Sequence, residues 1–185
     1  MMSTTHAAAG LLLVAPLVRT VPEFATVGAL AAILGGVFPD LDLAVGVHRK
    51  SLHFPVYYWL AALPAAALAL LAPSAPAVAA ACFFGSAALH SGTDWLGAGD
   101  ELRPWEGTSE KAVYLHPRRR WLRPKRWIRY DGAPEDLLAL VVLAAPAILI
   151  YDGAIRTLLV AGLVVSAGYT VFRRRLPAPI QRFMR

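Results

Sequence analysis

Six apolar stretches, at residues 7–21, 24–38, 55–72, 76–93, 137–151 and 154–172, take up most of this 185-residue chain. Pro, Gly or charged residues bound each of them. With 57% hydrophobic and only 16% charged residues, too little polar sequence is left to cover a soluble domain. Repeated apolar runs of this kind predict an all-α, polytopic helical membrane protein forming a single membrane domain over 1–185. The third and sixth stretches are long enough to span, since a span needs roughly 20 residues. The first two are shorter, and Pro16 interrupts the first. Turns fall at 19–23, at Pro73–Pro76 and at Asp152–Gly153,. The N-terminal apolar run lacks the basic flank of a signal peptide, so it is read as a retained helix.

Six spans put the N-terminus, the 39–54 loop, the 94–136 loop and the C-terminal tail on one side. That side carries 16 of the 18 Lys and Arg residues. Basic residues stay on the cytoplasmic side, so the expected location is the inner membrane, multi-pass, with both termini cytoplasmic. The same rule accounts for the net charge of +6 without a nucleic-acid partner. The 94–136 segment alternates basic and aromatic residues, as in Arg120-Trp121, Arg126-Trp127 and Arg129-Tyr130. It is read as a cytoplasmic loop at the membrane surface, with lipids and anionic headgroups as partners. One cysteine, Cys82, rules out an intrachain disulfide,.

That topology also gathers the ionisable residues that border the apolar stretches. His6 opens the first, Asp40 and Asp42 close the second, His48 and His53 precede the third, and His90 and Asp94 close the fourth. Ionisable groups near the hydrocarbon are expensive, so seven at one depth indicate function. His90 and Asp94 share one helical face. Imidazole with carboxylate suits zinc, and also manganese or iron. The expected metal ligands are His6, Asp40, Asp42, His53, His90 and Asp94, holding a divalent ion, zinc first and manganese second. Asp42 is assigned as ligand or general base. Arg49 and Lys50 are assigned to an anionic substrate group beside the metal. The plainer alternatives are that the aspartates pair with Arg49 and Lys50 and that His90 hydrogen-bonds between helices. His116, in the basic loop, reads as solvated. Gly97-Ala98-Gly99-Asp100 matches the Gly-x-Gly-Asp pattern of intramembrane proteases, but past the end of its helix, and is read as a chance match.

The runs Thr5-His6-Ala7-Ala8-Ala9-Gly10, Gly35-Gly36-Val37-Phe38-Pro39-Asp40-Leu41-Asp42, His48-Arg49-Lys50-Ser51-Leu52-His53 and His90-Ser91-Gly92-Thr93-Asp94 resemble the YdjM-like family of membrane-bound metal-dependent hydrolases. The resemblance covers about residues 5–95. Leu52 departs from it, standing where the family pattern often has Thr. The order of ligands is also similar to part of the set in zinc-dependent phospholipases C, whose later His and Glu have no clear counterpart here. The resemblance implies a membrane-bound, metal-dependent hydrolase. Basic residues beside the metal direct the expectation to a phosphoester or lipid headgroup at the cytoplasmic face. The competing expectations are a transporter, with acids spread through the membrane depth, and a non-catalytic ion-binding membrane protein.

Overall fold

A computed structural model of the chain describes residues 1–176, so the end of the C-terminal tail lies outside the described residues. Each apolar stretch forms a helix. The first gives α1 (Ser3–Val14) and, beyond the break at Ala15 and Pro16, the short α2 (Leu17–Thr20). The second gives α3 (Pro22–Val37), continued by a 3-10 turn (Phe38–Leu41) and α4 (Asp42–Val45). The remaining four give α5 (Tyr57–Leu71), α6 (Ala75–Thr93), α7 (Pro134–Ile150) and α8 (Gly153–Phe172).

The expectation of six spans is met only in part. Two helical stretches, Pro22–Val45 and Gly153–Arg175, are long and apolar enough to cross a membrane. The others fall short for physical reasons. The 12 residues of α1 rise only about 18 Å, because Pro16 interrupts the helix just beyond Val14. The 15-residue α5 and the 17-residue α7 each hold an internal proline, Pro64 and Pro146. The end of α6 turns polar at His90 and Ser91.

α1 lies at the centre, packed against α3, α6 and α7, with α5 on the far side of α6 and α8 on α7. The centre is built from small side chains. Ala8, Ala29, Ala32, Ala87, Ala144 and Ala147 are fully buried, while Leu63, Leu71 and Leu149 stand outward with 62%, 87% and 83% of their surface exposed. This inverts the usual soluble arrangement of large apolar residues inside. Small residues let helix backbones approach closely. At Gly35 an added Cβ would sit 2.1 Å from the Phe83 carbonyl oxygen, and at Gly36 it would meet the backbone of Ala7 at 2.9 Å. These two glycines let α3 touch α6 and α1.

The 94–136 segment departs from the purely helical expectation. It contains a small antiparallel hairpin, β1 (Val113–Leu115) with β2 (Arg120–Leu122), in which Tyr114 faces Trp121. Ala112 and Val113 are fully buried. The Tyr114 amide donates to the Arg49 carbonyl at 2.9 Å. The segment therefore folds over the helix ends where the candidate ligands lie, as well as presenting basic residues outward.

Gly35→Ala should lower the unfolding stability in detergent by about 1–3 kcal/mol, the usual range for overpacking. Gly92→Ala, whose Cβ would meet nothing within 4 Å, should leave it within about 0.5 kcal/mol. Thermal unfolding of both variants beside wild type checks the packing.

Candidate metal centre

Pro39 ends the regular part of α3, and the tight turn after it brings Asp40 back beneath the end of α6. There Asp40, His53, His90 and Asp94 each offer one donor atom to a common point. Asp94 Oδ2 lies 3.1 Å from His53 Nε2 and 3.6 Å from His90 Nε2. Asp40 Oδ1 lies 3.4 Å from His90 Nε2 and 3.8 Å from His53 Nε2. Donors about 2.0–2.2 Å from a tetrahedral ion stand about 3.3–3.6 Å from one another. The donor set thus has the size of a four-coordinate site before any ion is considered. His6 joins from α1, with Nε2 3.0 Å from the other Asp94 oxygen. Its ring stacks on that of His90, with centroids 3.7 Å apart. The Met1 amino group donates to the same Asp94 oxygen at 3.1 Å.

The protons decide what this cluster needs. His90 Nδ1–H donates to the Gly36 carbonyl at 2.6 Å, and His53 Nδ1–H donates to Asp42 Oδ2 at 2.9 Å. Thr93 directs its hydroxyl proton to the Leu89 carbonyl at 2.8 Å, so its oxygen accepts from His6 Nδ1–H at 3.2 Å. With each Nδ1 so engaged, all three rings turn Nε2 toward carboxylate oxygens, His6 and His53 at 3.0 and 3.1 Å from Asp94. His90 Nε2 is buried without any hydrogen-bond partner. Lone pair against lone pair repels unless a cation lies between. Either a metal ion or a proton on one imidazole can balance the two carboxylates, and the near-tetrahedral spacing of four donors favours the ion,. A divalent ion at this point would be held by Asp40, His53, His90 and Asp94, with His6 on the far oxygen of Asp94. Second partners of this kind are what orient metal-binding histidines.

The structure redistributes several sequence-assigned roles. Asp42 is fully buried and accepts from His53 Nδ1, from His48 Nδ1 at 2.9 Å and from the Leu52 amide at 3.3 Å. Both its oxygens are occupied, so it orients two imidazoles and is poorly placed as a general base. Asp42, His48 and His53 could also group around an ion, but that ion would have to displace both Nδ1 protons. Burial holds the His48 imidazole below its ordinary pKa; the Asp42 hydrogen bond opposes this and the Arg49 charge adds to it. Lys50 does not face the centre. Its ammonium stands 4.5 Å over the Tyr114 ring, and it is absent from the cavity lining. His116 is not fully solvated: it packs on Phe54 and Tyr114, at 4.7 and 4.9 Å between ring centroids, away from the cluster.

Arg49 does reach the site. It is buried, with a left-handed backbone (φ 60°) that costs a non-glycine residue about 1 kcal/mol. Its guanidinium donates to the carbonyls of Ala98 and Ala112. Its Nε, 3.9 Å from Asp94 Oδ2, has no hydrogen-bond partner. A cavity of about 790 Å³ opens over the cluster, with Asp40, Asp94, His48 and Arg49 in its lining.

Other contributors carried little sequence signal. Ser3 donates to Asp40 Oδ2 at 2.5 Å. Asp136, fully buried at the start of α7, accepts from the Met2 amide at 2.7 Å, the Thr5 hydroxyl at 2.8 Å and the Gly132 amide at 3.0 Å. It fixes the first turn of α1 and so the position of His6. In the sequence it reads as an ordinary acid at a helix start.

Purified protein should carry zinc or manganese near one ion per chain. His90→Ala should lose most of that metal while staying in the membrane fraction, and Lys50→Ala should keep it; elemental analysis of the three proteins decides. No family model matches the chain, and no curated protein or solved structure is detectably similar to it.

Proposed function

We propose that this chain is a membrane-bound, metal-dependent hydrolase acting on a phosphoester or lipid headgroup at the cytoplasmic face, as its resemblance to the YdjM-like family implies. The observation that carries this reading is the convergence of four candidate metal donors, two of which, Asp40 and Asp94, line a cavity that Arg49 also lines. Asp40, His53, His90 and Asp94 would hold the ion, with His6 behind Asp94. When bound, such an ion polarises a phosphoryl oxygen and brings the pKa of its water to about 7.

The chain's own residues supply the rest. Arg49, with an unpartnered Nε–H beside the cluster, holds a non-bridging phosphoryl oxygen. His48 keeps its Nδ1 proton on Asp42, which leaves Nε2 free to accept a proton from the attacking water. Asp42 fixes both that tautomer and the orientation of His53. The transporter alternative needs charged groups spread through the bundle. Among the described residues, the buried charged and imidazole groups lie at the start of α1 and α7, the ends of α3, α6 and α8, or the loops joined to them.

The membrane reading rests on two apolar stretches long enough to cross and on large aliphatic residues directed outward around a small-residue centre. In this reading the shorter helices also lie within the bilayer as tilted or shielded segments, giving six passes and a cytoplasmic 94–136 segment.

Reporter fusions at residues 74 and 115 should report the outer and the cytoplasmic side respectively; the reverse would move the site to the other face. Chelated protein should be inactive toward a panel of phosphomonoesters, phosphodiesters and phospholipids, and should recover with zinc or manganese. Against whichever substrate is hydrolysed, Arg49→Ala should raise KM about tenfold or more. His48→Gln should lower kcat about 100-fold while keeping the metal. A panel showing no metal-dependent hydrolysis would remove the reaction.

A further inference from the structure

The cavity over the metal cluster has two unlike regions. Its floor is polar and charged, formed by Asp40, Asp94, His48 and Arg49. The lining also takes in aliphatic residues from two elements, Leu43 and Ala44 of α4 and Val165 of α8, the last beside Ser166 and Tyr169. Val165 lines the cavity and is still 68% exposed, so the cavity opens sideways at that residue. Ala44 is exposed as well. Its neighbour Val45 is 74% exposed, and Leu41 and Val47 stand outward on the same short segment. The opening therefore lies between aliphatic side chains of two helical stretches that are each long and apolar enough for a bilayer. A site for a small water-soluble phosphoester has no use for such a rim, which would face lipid or remain an exposed apolar patch.

The frame around the opening is braced. Thr4 of α1 and Ser166 of α8 share a hydrogen bond of 2.7 Å beside Val165. Further along α8, the Tyr169 hydroxyl donates to Asp131, and Arg173 pairs with the same carboxylate at 2.9 Å. Gly132, with φ 77°, gives Tyr169 its room, since a Cβ there would lie 2.7 Å from the ring. α8 is thus held against α1 and the 131–132 turn on its inner side, while Val165 faces the opening.

We propose that the substrate is an amphiphile: a phosphoester whose phosphoryl group sits at Arg49 and the metal donors, and whose hydrocarbon chain leaves between α4 and α8 past Val45 and Val165. The proposal rests on the hydrolase reading and narrows its substrate class to lipid-linked phosphoesters. The chain contributes binding through burial of its methylenes.

The test uses metal-loaded full-length protein in nanodiscs of neutral lipid and measures equilibrium binding of methylphosphonate and dodecylphosphonate, with empty nanodiscs as the partition blank. Wild type should bind dodecylphosphonate at least about tenfold more tightly than methylphosphonate. The double variant Val45→Glu, Val165→Glu should lose that preference and keep its metal content and its methylphosphonate affinity. Val165→Trp, which fills the opening without adding charge, should lose the preference too. Metal-dependent binding of methylphosphonate with no chain preference in wild type, or an undiminished preference in both variants, overturns the amphiphile and leaves the hydrolase reading. Absence of metal-dependent binding of either phosphonate overturns both.

Discussion

The arrangement at this end of the bundle turns on a single electrostatic demand. Three buried imidazoles, each with its Nδ1 engaged elsewhere, turn Nε2 toward the buried carboxylate of Asp94 and the half-buried one of Asp40. A cation at that point would relieve the set, and its binding would then add to the stability of this region,. The partners that commit the protons, Gly36, Asp42 and Thr93, come from the turn after α3 and the helices around it. The site is held by the way these elements meet rather than by a single motif.

That meeting depends on an interior of unusual composition. Alanine and glycine at the α1, α3 and α6 contacts bring the backbones close enough for a main-chain carbonyl of α3 to reach a histidine ring of α6. Two helical stretches are long and apolar enough to cross a membrane, and in lipid close packing and interhelical hydrogen bonds are the forces that join helices. The outward leucines and valines are then ordinary. The same composition that removes the usual hydrophobic core gives the metal donors a tightly packed frame.

Much of this was legible in the sequence. The six apolar stretches correspond to helices, and the basic-residue asymmetry alone gathered His6, Asp40, His53, His90 and Asp94 at one depth. The roles of Asp42, His48 and Lys50 were not legible, because they depend on which way a loop of a few residues turns. Arg49 adopts a positive φ there, and the hairpin draws Lys50 outward over Tyr114. The Gly36 carbonyl leaves no trace in a sequence, since every residue has one. Two of the six stretches form helices long and apolar enough to cross a membrane; α1 stops short at Pro16, and α6 turns polar at His90.

Asp136 gives the site a chronology. His6 precedes every other candidate ligand in the chain, yet the carboxylate that anchors its helix belongs to a segment made 130 residues later. The ligands between them, Asp40 through Asp94, are all synthesised in the interval. Nascent chains therefore hold a complete set of donors well before they hold the brace for one of them. Completion of the cluster waits on α7, a helix that contributes no ligand of its own.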